Sequence, residues 1–451
     1  MAVTTNAPEN ISDVTVDFTG RGGKISPQIA TKELGRTGLI EYSGHVYEEQ
    51  MRQLASYVIR TRIYREMSDN DSVIGAMLFA IQMLIRQCEW RVQPGGNSQA
   101  DLQAKLFLEE CMKDMSTSWA DIISEILSFL IYGWSFHEIV YKRRLGENRD
   151  PTKNSRYNDG LIGWRKMPIR AQETLWTWIF DNEGGIQAMR QQPPPDYQFR
   201  VIPIEKALLF RTSIRKNNPE GQSILRTAYR TWYFKKRIET YEAIGVEREL
   251  AGYPVVYVPA EWTDVNATQG EKDAYNAMKQ LVTNIRRDEQ EGAILPAIYD
   301  DQNNQLVKLE LLTSGGRRNF DTNVIINRLD QRLAMTVMAD FVLLGTATDN
   351  GSYALSSDKT RMFSMAIKAW LDMIGAVFNR HAIPRLFAMN NIKLEKLPEI
   401  VHSDIETPDL NELGNYIQKL SGAGMPLFPD AELENYIKAA ANLPVNKKQE
   451  L

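Results

Sequence analysis

The chain of 451 residues is 43% hydrophobic and 24% charged, a balance that permits a large buried core and excludes wholesale disorder. Its net charge of −4 and pI near 5.8 exclude a protein that grips nucleic acid by bulk positive charge, but not one past which nucleic acid slides. Two cysteines, Cys88 and Cys111, with no CxxC, exclude a disulfide scaffold and fit buried thiols in a reducing cytoplasm.

Residues 1–44 are rich in Thr, Gly, Asn and Asp, and read as an extended arm ordered by a neighbouring subunit. The polar start holds no apolar run of a signal peptide. The longest apolar stretch, 73–85, is short and contains Gln82, so no membrane span is expected. From 45 to 67 the three- and four-residue steps of Met51, Leu54, Val58 and Tyr64 predict a helix. The Ser68-Asp69-Asn70-Asp71 run caps another over 72–86. Residues 87–93 alternate as a strand and stop at Pro94-Gly95-Gly96. Helices over 98–115 and 119–131 precede a strand at 135–142. A polar loop over 143–160 is followed by short strands at 164–171, 175–181, 186–191 and 207–212. This is a mixed α+β domain running to about residue 218.

Two long amphipathic helices follow, 222–250 and 319–343, on either side of a small insert. The first would measure roughly 42 Å at about 1.5 Å per residue, longer than most domains are wide. Leu225, Ala228, Trp232, Phe234, Ile238 and Tyr241 are expected on its apolar face, with Arg226, Arg230, Lys235 and Arg237 around the rest. In the insert, PVVYVP reads as a strand, 271–287 as a helix, and 293–299 with 306–313 as a hairpin around 300–305. On the second helix Ile326, Leu329, Leu333, Val337 and Phe341 share a stripe. A polar loop with two glycines, 345–356, leads to a third helix, capped by Ser356, Ser357 and Asp358, with Met362, Trp370, Met373 and Val377 on its apolar face. Pro384 ends or kinks that helix. A strand at 399–404 and helices near 410–420 and 430–441 close the chain. Long helices flanking a compact insert suit a ring-shaped conduit, whose copies complete one another's apolar stripes.

Chemical signatures are absent. No G-x-x-x-x-G-K-[ST] occurs, and residues 20–26 (GRGGKIS) place Ile25 where a Mg²⁺-ligating hydroxyl is needed. His45, His137, His381 and His402 are dispersed without metal-ligand spacing and read as structural, so no metal or cofactor is expected. Asp300-Asp301 reads as a solvated hairpin tip, and no G-x-S-x-G occurs. An enzyme is disfavoured. The basic and aromatic run 226–237, with Tyr229, Trp232, Tyr233 and Phe234, offers a stacking surface for single strands. It is better read as a helix packed between neighbours, because its aromatics fall on more than one face.

Residues 131–142 (IYGWSFHEIVYK), downstream of 88–95 (CEWRVQPG), resemble the signature of bacteriophage portal proteins, most closely the Mu-like branch. The likeness continues through 221–225 (GQSIL), 247–254 (ERELAGYP, with an insertion before Gly252) and 383–390 (IPRLFAMN), so that it covers roughly 68–390. It implies a portal fold, α+β: an N-terminal arm at 1–46, a wing at 47–218 and a first stem helix at 219–250. A clip at 251–316, a second stem helix at 317–343 and a tunnel loop at 344–357 follow. A kinked helix with a returning wing segment, 358–407, and a short crown with C-terminal tail, 408–451, complete it. The brevity of the crown departs from portals with long barrels.

The resemblance implies a non-enzymatic dodecameric ring at a unique capsid vertex, assembled in the host cytoplasm and carried in the virion. It would be the conduit for packaging by the terminase large subunit and for DNA ejection. A head-tail adaptor or head-completion protein, the major capsid protein and any scaffold are the implied partners, with double-stranded DNA held non-specifically. At −4 per copy such a ring carries about −48, against the dense charge of DNA, which favours sliding over gripping. Gly345, Thr346, Thr348, Asp349, Asn350, Gly351 and Ser352 would form the collar facing the channel, with the glycines as hinges. Trp232, Ile238, Leu329, Leu333 and Val337 would pack between subunits of the stem. Glu138, in the position of the family's wing glutamate, reads as one member of an ion pair. Two other readings stay open: a different ring-forming head-tail connector that never meets the motor, and a nucleic-acid-processing enzyme.

Overall fold

The computed structural model of the chain describes residues 35–251, 253–284, 299, 307–312, 321–336, 353–403, 410–422 and 434. Strands β1 (Glu41–Tyr42) and β2 (His45–Val46) form a hairpin, and the Gly44 carbonyl between them accepts a hydrogen bond from the Trp178 amide at 2.9 Å. The first α-helix therefore begins later than its periodicity suggested, as α1 over Tyr57–Asn70, followed by α2 over Ser72–Gln87. Asp71 divides them. Its extended backbone stops α1, and its carboxylate accepts from the Val73 and Ile74 amides at 3.0 Å, capping α2 as expected.

Strand β3 (Trp90–Gln93) leads to α3 (Gln99–Lys113), which opens on a reciprocal capping box between Ser98 and Asp101. The expected helix over 119–131 is two helices, α4 (Trp119–Ile126) and α5 (Ser128–Tyr132). The strand expected over 135–142 is likewise two, β4 (Trp134–Glu138) and β5 (Val140–Arg143), because its halves join different sheets. The division falls at Ile139, whose amide donates to the Lys206 carbonyl at 2.8 Å. β5 pairs antiparallel with β6 (Ile162–Lys166). β7 (Leu175–Phe180), β8 (Ile186–Gln191) and β9 (Arg200–Pro203) form one antiparallel sheet, and β10 (Ala207–Arg211) pairs antiparallel with β4. β9 escaped the sequence reading: it is short and ends in a proline, which an edge strand tolerates.

Helix α6 (Tyr229–Ala251) is preceded by a single 3₁₀ turn, Ile224–Arg226, so the α-helix starts later than expected. Beyond it lie β11 (Tyr253–Tyr257), α7 (Gln269–Asn284) and β12 (Lys308–Leu312). β12 pairs with β11 from Tyr253↔Leu312 to Tyr257↔Lys308, closing the base of the insert. Of the strand expected at 293–299, only Tyr299 is described. Then come α8 (Thr322–Thr336) and α9 (Tyr353–Val377). Because α9 begins at Tyr353, Ser356, Ser357 and Asp358 lie inside the helix rather than ahead of its first residue. The last residues of the expected loop, from Tyr353 on, are helical. Pro384 does not end this element either: a π-helical turn, Phe378–Ala382, carries α9 into α10 (Ile383–Met389). The wider turn accommodates a residue that has no N–H to donate and whose ring crowds the preceding carbonyl. β13 (Glu399–His402) returns to pair antiparallel with β3, and α11 (Leu410–Gly422) follows.

Two cores result. The larger draws on α2 through α5 and on α9, where Phe363, Ile367, Leu371 and Ile374 form a buried stripe that Phe378 of the π-helical turn continues. That stripe lies beside the expected face: Met362 is 54% exposed, and Trp370, Met373 and Val377 pack at its margin. The smaller core lies under β7–β9, where Trp134 and Trp178 meet edge to face with centroids 5.0 Å apart. His137, fully buried, is neutral: its Nδ1–H donates to the Met167 carbonyl at 2.9 Å and its Nε2 accepts from the Ser135 hydroxyl at 2.6 Å. Burial pushes its pKa down to about 4 from an ordinary 6.5. A histidine depressed on folding binds its proton more readily when unfolded, so stability falls as pH drops from about 6.5 towards 4, by roughly 3 kcal/mol in full. Urea midpoints across that range should show this slope in the wild type and its loss in His137→Gln.

Candidate functional site

The strongest convergence of sequence signals lies at the root of α6, where the two most distinctive glycines meet. Gly133 ends α5 in the left-handed region, at φ 95°, and an added Cβ would sit 2.5 Å from the Glu220 carbonyl oxygen. Gly221, at φ 54°, is packed so that its own Cβ would fall on the Gly133 carbonyl. The Thr212 amide donates to that same carbonyl at 3.0 Å, and the Ser223 hydroxyl donates to the Ile131 carbonyl at 2.5 Å. The YG and GQSIL motifs are thus one structural joint. Beside it, Arg60 forms an ion pair with the buried Glu220, and Arg226 holds Glu49 through two bonds at 2.8 and 2.9 Å. Burial pushes the Glu49 carboxyl up, but Arg226 and the Met51 amide outweigh it and hold it below its ordinary value.

In the second turn of α6, Lys235 is 4% exposed, a departure from its expected place on the outer face. Its ammonium lies 3.1 Å from Asp71 and 2.6 Å from Asp330, joining α6 to the α1–α2 junction and to α8. Burial opposes the lysine's charge, but its hydrogen bond to Asp330 and the charge of Asp71 outweigh that, and its pKa is raised. The signal was in the sequence: Ala228, Trp232 and Lys235 follow at four and three, which puts a lysine on the buried stripe.

The residues expected between subunits fare unequally. Leu333 is fully buried, and Trp232 and Leu329 are each 6% exposed, within one chain. Their stripe is largely covered by the chain's own α2, α6 and α8, so these three leave little surface for a second copy. Ile238 is half-buried, whereas Val337 lies outside the described residues. The apolar residues that α6 leaves outward are Phe234 and Tyr241, 46% and 63% exposed, with Ile244 beyond them. Their basic neighbours lie over rings, Arg237 being 4.9 Å from the Tyr233 centroid and Arg230 5.7 Å from that of Phe234. Aromatics so occupied, with Trp232 buried, leave no open ladder for bases to stack on.

Gly345, Thr346, Thr348, Asp349, Asn350, Gly351 and Ser352 lie outside the described residues, between α8 and α9. Glu138 pairs with Arg170 and, at 2.8 Å, with Lys206; burial raises its carboxyl, but these two cations outweigh that and hold it low. His402 bonds Asp372 at 2.9 Å, and Cys88 and Cys111 are buried and unbridged. Among the described residues no cluster of His, Cys, Asp and Glu is built to hold a metal, and no helix is long and apolar enough to cross a membrane.

Three solved structures are similar in fold. A chain of the virion of a native gene transfer agent particle matches with a TM-score of 0.49 at 10% identity, covering 89% of this chain and 96% of that one. A chain of the neck of a native gene transfer agent particle, computed with C12 symmetry, gives 0.47 at 10%, covering 85% and 94%. An HK97 family phage portal protein from Corynebacterium diphtheriae gives 0.39 at 12%, covering 80% and 96%. These are loose likenesses of chain path. The sequence itself matches a family model described as the portal protein of Mu bacteriophage over residues 61–439. With that match running over well more than half of its length, the chain belongs to the Mu portal protein family.

Proposed function

We propose that the chain assembles as a dodecameric ring at a unique capsid vertex, where it is the conduit for genome packaging and ejection and the platform for head-tail adaptors. The observation that carries this is the family match over 61–439. In this reading 47–218 is the wing, α6 and α8 lie in the two stem segments, 219–250 and 317–343, and 251–316 is the clip that docks the terminase large subunit and the adaptor. The segment 344–357 is the tunnel loop, whose polar residues Thr346, Thr348, Asp349, Asn350 and Ser352 touch DNA without gripping it. The arm at 1–46, the returning segment at 358–407 and the crown at 408–451 border the capsid protein and any scaffold. Between copies, the outward residues Phe234 and Tyr241 of α6, with the half-buried Ile238, meet the next subunit, in place of Trp232, Leu329 and Leu333.

Mass photometry tests the ring: twelve copies of a 51.5 kDa chain give about 618 kDa. A monomer at high concentration would overturn it. Deleting residues 348–352 should leave ring mass and capsid incorporation unchanged while packaged DNA length or retention falls. Full genomes retained normally would reduce the loop to a connector. A ring that fails to bind terminase would favour a connector that never meets the motor.

A further inference from the structure

Glu89, Trp90, Arg91 and Val92 line a groove of about 730 Å³ between β3 and the connection from α3 to α4. A strand bordering a groove with one face contributes alternate residues, so four in succession mean that its backbone edge borders it. β3 is paired on one side only. The Ser403 amide donates to the Glu89 carbonyl at 2.8 Å, and the antiparallel alternation gives Arg91 and Gln93 to β13 likewise. The backbone groups of Trp90 and Val92 therefore turn the other way. β13 has its own far edge closed, since the Asn379 side chain donates to the Ile400 carbonyl at 3.0 Å and accepts from its amide at 2.8 Å. No such cover meets the far edge of β3 among the described residues. Val92 is nonetheless only 5% exposed, and buried backbone amides and carbonyls require partners. On the opposite wall, the Trp119 indole N–H is also buried without one.

The walls describe the occupant. Apolar surface comes from Met112, Met115, Trp119 and Ile123, and charge from four basic residues, Arg86, Arg91, Lys113 and Arg156, against Glu89 and Glu109. An extended, alternating, acidic segment fits. Within an arm otherwise poor in periodicity, residues 13–19 (DVTVDFT) set Val14, Val16 and Phe18 against Thr15, Asp17 and Thr19, with Asp13 in front and no basic residue. The sixteen residue steps from 19 to 35 reach at most about 55 Å when extended. The chain beyond the arm is fastened on the smaller core, through Arg36 to the Asn182 carbonyl at 3.2 Å and Gly44 to Trp178, whereas the groove belongs to the larger one. Passed from each copy to the next around a closed ring, the arms fill every groove once.

We propose that residues 13–19 of one copy lie as an added strand on the β3 edge of the neighbouring copy, an inference that rests on the ring reading above. The full chain carrying Thr15→Cys and Arg91→Cys, treated with a short bis-maleimide, should give a covalent ladder extending beyond dimer on a denaturing gel. Wild type, whose two cysteines are buried, should not. Adding Val16→Asp should abolish the ladder, and Thr19→Cys with Thr117→Cys, the latter an exposed position beside the groove, provides a second pair. A product of monomer mobility carrying an internal cross-link would place the arm on its own chain and overturn the exchange. A ladder indifferent to Val16→Asp would mark a chance contact and overturn the strand pairing. Mass photometry on the same samples separates the two readings: an intact ring without a ladder overturns only the arm exchange, whereas no ring in wild type overturns both.

Discussion

Replacing Leu333 with Asp should unfold the body of the protomer rather than merely detach each copy from the next. Leu333 is fully buried among residues of one chain, on α8 against α2 and α6, and belongs to the larger core. Leu333→Ala alone should cost about 2–5 kcal/mol through lost burial and the cavity left behind. The aspartate adds the desolvation of a carboxylate with no cation made for it, bringing the loss to about 5 kcal/mol or more, comparable to the whole stability of many domains. Circular dichroism and urea unfolding should show loss of helix and core together. A mutant that keeps native far-ultraviolet spectra and midpoint, and sediments merely as a smaller species, would put Leu333 at a subunit boundary after all. Phe234→Asp and Tyr241→Asp supply the contrast: both side chains are exposed in the single chain, so they should spare folding and disturb only assembly.

Lys235→Met should destabilise the protomer by about 3–5 kcal/mol, because it strands two carboxylates beside each other in the junction of α6, α8 and the α1–α2 turn. Asp71 suffers most, with 5% of its side chain exposed. The lysine's pKa is raised on folding, so the stability it contributes is fully present at neutral pH, begins to fade as pH passes the ordinary lysine value of 10.5 and is gone once pH exceeds the raised one. Adding Asp71→Asn, which keeps an oxygen to cap α2, and Asp330→Asn should restore most of the loss, since a neutral set carries no orphaned charge. A urea midpoint for Lys235→Met within error of wild type would mean that water solvates the triad and that it joins nothing.

Much of the body was legible because its stops are chemical. Asp71, Ser98 and Ser118 each place a side-chain acceptor on the first amides of a helix, so α2, α3 and α4 begin where the residue types demand. β8 ends where Gln192 and the three prolines begin. What failed did so for reasons of packing that periodicity does not carry. Lys235 was assigned to the surface by its charge, although its spacing from Trp232 set it on the buried stripe. The α9 face was placed one step aside because Met362 and Trp370 are large, while the core selected Phe363, Ile367 and Leu371. Residues 135–142 look like one strand, since nothing local reveals that β4 and β5 serve different partners. Intrachain burial of Leu333 and Trp232 was hidden for the same reason: an apolar stripe states that it must be covered, not by whom. The polar residues 345–352 lie outside the described ones, and their role rests on the family.

Gly133 and Gly221 touch through bare backbone, and that has a mechanical consequence. Side chains between two elements act as a soft layer that can tilt and repack under load; here there is none. A thrust along α6, such as a motor seated at its far end would deliver, passes from Gly221 directly to the turn that starts β4. The buried lysine in the second turn of α6 braces the helix against swinging sideways. The joint behaves as a weld rather than a hinge, so a change of angle at the root of α6 would have to break this backbone contact.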